Sequence, residues 1–195
     1  MGTVVAITSN PDPVYIDYGS TVVYEGDTVY VEGKEVPAAE YNEVAIEAAQ
    51  VEQPPPPVPA EDGSSEWMPL GVFALAQEEK GDPVAMFQIS VSKDGLISGG
   101  YQSLLSDDQK PIAGKVDKET QRVGWRIGDN LETIYETSLG NLTLDVAPVA
   151  LHFGKDRTQT WLLVRMPEPG EAGKDQAIPE ASKTPPPLAS SEKKE

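Results

Sequence analysis

The chain is expected to be mainly β, an antiparallel up-and-down barrel or sandwich of about eight strands preceded by a small β-meander and one α-helix. Three observations predict this. Short β-branched and aromatic runs recur between turn-forming residues every 8–12 positions. Apolar and polar residues alternate within those runs. A single stretch, residues 38–53, shows helical spacing instead.

The strand candidates of the C-terminal part are Met68–Ala76, Val84–Val91, Leu96–Tyr101, Pro111–Asp117, Arg122–Ile127, Leu131–Thr137, Val149–Phe153 and Thr160–Arg165. Alternation assigns Phe87, Ile89 and Val91 to one face, opposite Gln88, Ser90 and Ser92. Val123, Trp125 and Ile127 likewise oppose Gly124, Arg126 and Gly128, so Trp125 is expected in the core and Arg126 outside it. Polar links such as Ser92-Lys93-Asp94-Gly95 and Asp117-Lys118-Glu119-Thr120-Gln121 suit hairpin ends. The Gly99-Gly100 pair reads as a bulge or a close strand crossing, because no phosphate-loop pattern or helix surrounds it.

Upstream, Thr3–Thr8, Val14–Tyr18, Thr21–Tyr24 and Thr28–Val31 read as a tyrosine-rich meander ending at Gly33. Tyr41, Val44, Ala45, Ala48 and Val51 then form an apolar helical stripe expected to pack on that meander. The run Pro54-Pro55-Pro56-Pro57-Val58-Pro59 favours polyproline II, which has fixed φ and no N–H donors, and so predicts a stiff spacer. The expected division is 1–53 meander plus helix, 54–60 polyproline linker, 61–166 barrel-like domain, and 167–195 a disordered proline-rich and charged tail with too little apolar surface to offset its ordering entropy.

Composition narrows function by exclusion. The chain of 195 residues has no cysteine and one histidine, His152, so thiolate chemistry, disulfides and Cys/His zinc sites are excluded. His152 lies between Leu151 and Phe153, on the opposite face of a strand, and no Gly-x-Ser-x-Gly elbow accompanies it, so a structural or surface role is expected. The net charge of −17 opposes binding to nucleic acid or anionic lipid, and residues 1–60 carry ten acids against one base. No window is apolar and long enough to span a membrane as a helix.

Asp107-Asp108 and Asp129-Asn130 with Glu132 gather oxygen ligands but lack the spacing of a calcium loop, and Asp and Asn collect in turns for conformational reasons. A carboxylate pair of the glycosidase kind would need two acids projecting into one cleft, whereas most acids here fall at turns or beside lysine and arginine. The Asn141-Leu142-Thr143 sequon would matter only in a eukaryotic secretory pathway. No catalytic, cofactor or metal residue is therefore assigned, and no enzyme activity is expected. Tyr15, Tyr18, Tyr24 and Tyr30 suit either a half-buried sheet face or a partner surface.

The run from Asp12 to Val31, DPVYIDYGSTVVYEGDTVYV, with Trp67-Met68-Pro69-Leu70-Gly71-Val72-Phe73-Ala74-Leu75, resembles a family of planctomycete proteins labelled cell-surface or protocadherin-like. The resemblance covers roughly residues 12–166. It implies secretion or surface attachment and no known activity, with a signal peptide absent from the present sequence. The acidic surface, the proline spacer, the expected tail and the lack of catalytic residues then suggest a non-catalytic extracytoplasmic structural or interaction module whose partner is a protein or cell-surface component. A fainter resemblance is to lipocalin-like barrels, through a tryptophan on the first strand and an arginine on the last, here Trp67 and Arg165, although Ser65-Glu66-Trp67 lacks the Gly-x-Trp pattern. That likeness implies a small-molecule-binding barrel, and eight strands can enclose either packed side chains or one small ligand.

Overall fold

In the computed structural model, which describes residues 12–57, 66–155 and 157–167, eight antiparallel strands close into a barrel and a three-stranded sheet with one helix packs on its outside. The N-terminal sheet comprises β1 (Val22–Glu25), β2 (Thr28–Val31) and β3 (Lys34–Pro37), followed by α1 (Ala38–Ala49). The barrel strands are β4 (Trp67–Ala76), β5 (Ala85–Ser92), β6 (Leu96–Ser103), β7 (Gln109–Val116), β8 (Arg122–Ile127), β9 (Thr133–Ser138), β10 (Val146–Phe153) and β11 (Arg157–Arg165). Each pairs with its sequence neighbours, and β11 closes on β4 with Arg165 opposite Phe73.

Every barrel strand matches a candidate from the sequence, because alternation survives in each. Phe87, Ile89, Val91, Val123 and Trp125 all point inward and are almost completely buried. The mid-barrel layer is aromatic. Trp125 stacks on Tyr135 at 5.7 Å, and Phe87 meets both edge-on at 6.0 and 5.2 Å. At Gly99 the strands cross so closely that a Cβ would run into the Gln88 carbonyl oxygen, which accounts for glycine there.

The N-terminal lobe departs from expectation in three places. β3 extends the meander past Gly33: Glu32 and Gly33 form a two-residue turn with φ of 50° and 80°, the geometry that favours hairpins. Its polar residues and terminal proline hid it, and both are tolerated on an edge strand. Val14–Tyr18 is extended but not part of a sheet, apart from an isolated bridge of Tyr18 to Val22. Side-chain amides take the place of a neighbouring strand. Asn141 accepts from the Ile16 N–H (3.1 Å) and donates to the Ile16 carbonyl (2.8 Å). Gln121 accepts from the Val14 N–H (3.0 Å) and donates to the Asp12 carbonyl (2.7 Å). Thr3–Thr8 lies outside the described residues, as does the tail from residue 168.

The third departure is the helix, whose small face packs against the barrel wall as well as the meander. Ala45 and Ala48 sit on Gly124 of β8, where a Cβ would collide with the Ala45 carbonyl oxygen, while Ala45 and Ala49 cluster with Ile134 of β9. Only Ala38 and Tyr41 join the apolar cluster of the N-terminal sheet. Arg126 is on the outer face as expected and is buried there. Its guanidinium donates to the Ala49 carbonyl and, at 2.8 Å, to that of Val51, placing a cation on the negative end of the helix. The first prolines after the helix also touch the wall: Gln53 donates to the Ile112 carbonyl, and Ser98 donates to that of Pro55. Residues 58–60 of the proline run lie outside the described residues.

Candidate functional site

The packing of the lobe on the barrel buries a polar cluster on the outer face of β8, β9 and β10. Arg122, Glu136 and His152 all point outward from adjoining strands. Glu136 accepts from Arg122 Nε on one oxygen (2.7 Å) and lies 2.7 Å from His152 Nε2 on the other. His152 Nδ1 is 2.9 Å from the Thr158 hydroxyl, so both ring nitrogens have partners within the protein. Arg122 also donates to the Tyr41 carbonyl (2.7 Å), and its guanidinium lies 3.8 Å from the centre of the Tyr41 ring. Tyr18 roofs the cluster and donates to the Glu136 carbonyl (3.2 Å), while Tyr24 donates to Asn42 Oδ1 (2.9 Å).

The electrostatics are those of a buried ion pair. Burial pushes the Glu136 carboxyl up, but Arg122 and the hydrogen bond with His152 outweigh it and hold the group below its ordinary range. Arg122 is held above its ordinary value because Glu136 overcomes the desolvation of the guanidinium. Burial, and after it the Glu136 charge, pushes Tyr18, Tyr24 and Tyr41 upward, so all three hydroxyls stay protonated.

The order Thr158, His152, Glu136 has the spacing of a nucleophile, base and orienting acid. Such a base must reach a substrate proton. Here both ring nitrogens are already engaged within the protein and His152 is 0% exposed.

The two ends of the barrel differ. At one end the β9–β10 connection, with a 3-10 turn at Asn141–Thr143, carries the fully buried Leu139 and Leu142 into the core. Arg165 seals it, 4.7 Å from the centre of the Phe73 ring and donating to the carbonyls of Leu70 (2.7 Å) and Leu142 (2.6 Å). Phe73, and not Trp67, therefore faces the arginine. Trp67 lies six residues earlier, opposite Ser92, so the lipocalin-like pairing expected from sequence is corrected.

At the other end a recess of about 300 Å³ is lined by Tyr101, Ile127, Tyr135, Leu151 and Phe153, with Asp108, Lys110, Asn130 and Thr133 supplying polar groups. The adjoining loops expose Leu104, Leu105 and Leu131, Leu105 to 80%. One layer below Ile127, Trp125 Nε1 is buried without a hydrogen-bond partner among the described residues. Tyr135, on the recess wall, has its hydroxyl pushed up to about 12 by burial and then by Tyr101.

The other residues weighed from sequence serve conformation. Asp108 accepts from Ser106, and Asn130 Oδ1 accepts from the Glu132 N–H, both local turn bonds. Among the described residues no group of three His, Asp or Glu side chains converges as a metal site would require. Asn141 of the sequon is 1% exposed, its amide bound to Ile16. Tyr18 is buried and Tyr24 and Tyr30 are half-buried, whereas Tyr15 is exposed.

The Arg122–Glu136 pair was missed from sequence. The signal was a pair of opposite charges at outward positions in two consecutive strands, which reads as a solvated face until a second layer covers it.

The fold thus defines an up-and-down antiparallel barrel plugged at one end, recessed at the other and overlaid on one side by an N-terminal lobe. Comparison with protein-family models, curated proteins and solved structures found no match.

Proposed function

We propose that this chain is a non-catalytic binding module that seats a small molecule, or the apolar tip of a larger partner, in the open end of its barrel. The observation that carries this reading is the asymmetry of the ends: Leu139, Leu142 and Arg165 fill one, while three aromatic rings line a recess at the other. Barrel mouths are common sites for small ligands, and a volume near 300 Å³ lies at the small end of the usual range. The aromatic lining and the exposed leucines around it suit an apolar ligand. The full core below limits that ligand to the mouth.

Titration with a library of small aromatic fragments, followed by NMR, tests this. Fragments should move the resonances of Tyr101, Tyr135 and Phe153, and Thr133→Trp, which fills the recess from its rim, should abolish those shifts. A library that leaves all three unmoved would overturn the proposal. The extracytoplasmic location rests on the resemblance to planctomycete surface proteins. Fractionation of expressing cells checks it, and a wholly cytosolic pool would refute it.

A further inference from the structure

We propose that the groove between the N-terminal lobe and the barrel wall is a second binding site, for an amphiphile with an apolar body and a terminal carboxylate. The groove measures about 420 Å³, and its walls include Val14, Ile16, Val22, Val31 and Val36. Arg122 is the only one of its charged lining residues that also belongs to the buried cluster. Its side chain is 9% exposed, and it lines this groove.

The donors of Arg122 are unequally used. Nε donates to Glu136 and Nη2 to the Tyr41 carbonyl, while Nη1 has no hydrogen-bond partner among the described residues. Arg122 is nearly buried yet lines the groove, so its guanidinium is the buried cation that a ligand seated there would meet. A carboxylate matches a planar guanidinium that has a donor to spare.

The charge at the rim sets the ligand class. Lys34 adds one cation and Glu32 one anion, so the groove suits a monoanion better than a phosphate dianion. The aliphatic walls favour an alkyl chain over a polar body. The site is separate from the barrel mouth and shares no lining residue with it.

Decanoate, with decanol as its neutral counterpart, tests the proposal on the full chain by NMR and calorimetric titration. Decanoate should shift the amides of Val22, Val31 and Val36 and leave Leu151 and Phe153 unmoved, with an affinity about tenfold above that of decanol. Val36→Trp, which fills the groove without touching Arg122, should abolish these shifts. Lys34→Glu, on the exposed rim, should weaken decanoate severalfold and leave decanol unchanged. The proposal is overturned if decanoate binds no better than decanol, if its shifts fall at the barrel mouth, or if Val36→Trp and Lys34→Glu both bind it normally. Binding that appears only after residues 1–11 are removed would show that the chain's own first residues fill the groove, and would equally overturn it.

Discussion

The inner and outer faces of β8, β9 and β10 are both buried but are held by opposite means. Inward, Val123, Trp125, Tyr135, Val149 and Leu151 make an apolar core in which shape and area decide stability. Outward, Arg122, Glu136 and His152 lie beneath tyrosines and a helix, and each hydrogen bond offsets a desolvation cost. The difference teaches that period-2 alternation separates two faces without saying that the polar one meets water. A second layer of chain turns that polar face into a buried, hydrogen-bonded interface.

Trp125→Ala is the largest expected break on the inner face. It removes a fully buried ring that Tyr135 and Phe87 contact, and should cost about 3 to 5 kcal/mol in equilibrium unfolding by urea. A variant within about 1 kcal/mol of the parent would place the ring outside the load of the core.

The outer face should respond differently. Glu136→Ala leaves the Arg122 charge without its acid and should cost about 3 kcal/mol. Replacing both partners, Arg122→Met with Glu136→Met, should recover much of that loss, because two apolar side chains need no compensation. No such rescue is available to Trp125. If the double variant is as unstable as Glu136→Ala, the pair is not the reason for the loss.

Acid sharpens the same contrast. The folded pKa of Glu136 lies below its ordinary value of 4.5. Ionised Glu136 therefore contributes stability that is fully present above that value and is lost as pH falls through the folded pKa. Unfolding measured at decreasing pH should show a steeper decline in the parent than in Glu136→Gln, whereas Trp125→Ala should keep the parent's slope.

The smallest effect is expected where the helix ends. Arg126→Ala removes the cation from the last carbonyls of α1 and should cost about 1 to 2 kcal/mol, with helix amides nearest Ala49 losing hydrogen-exchange protection first. Uniform loss of protection across the barrel would instead give Arg126 a role in the wall.

The eight barrel strands, their sequential pairing and the inward placement of Phe87, Val123 and Trp125 were legible in the sequence, because alternation and turn residues are local properties of neighbouring side chains. The helix was legible for the same reason, but its seat was not. Ala45 meets Gly124 through a contact between two small residues that carries no periodic mark. Val14–Tyr18 has strand composition and no strand partner, since the amides that bind it belong to Gln121 and Asn141, more than a hundred positions away. Arg122 and Glu136 look like surface charges until β1–β3 and α1 close over them. Alternation along the chain determined which side chains share a face, and only the tertiary structure decided what covers each face, because that depends on contacts between segments whose spacing leaves no trace in local pattern.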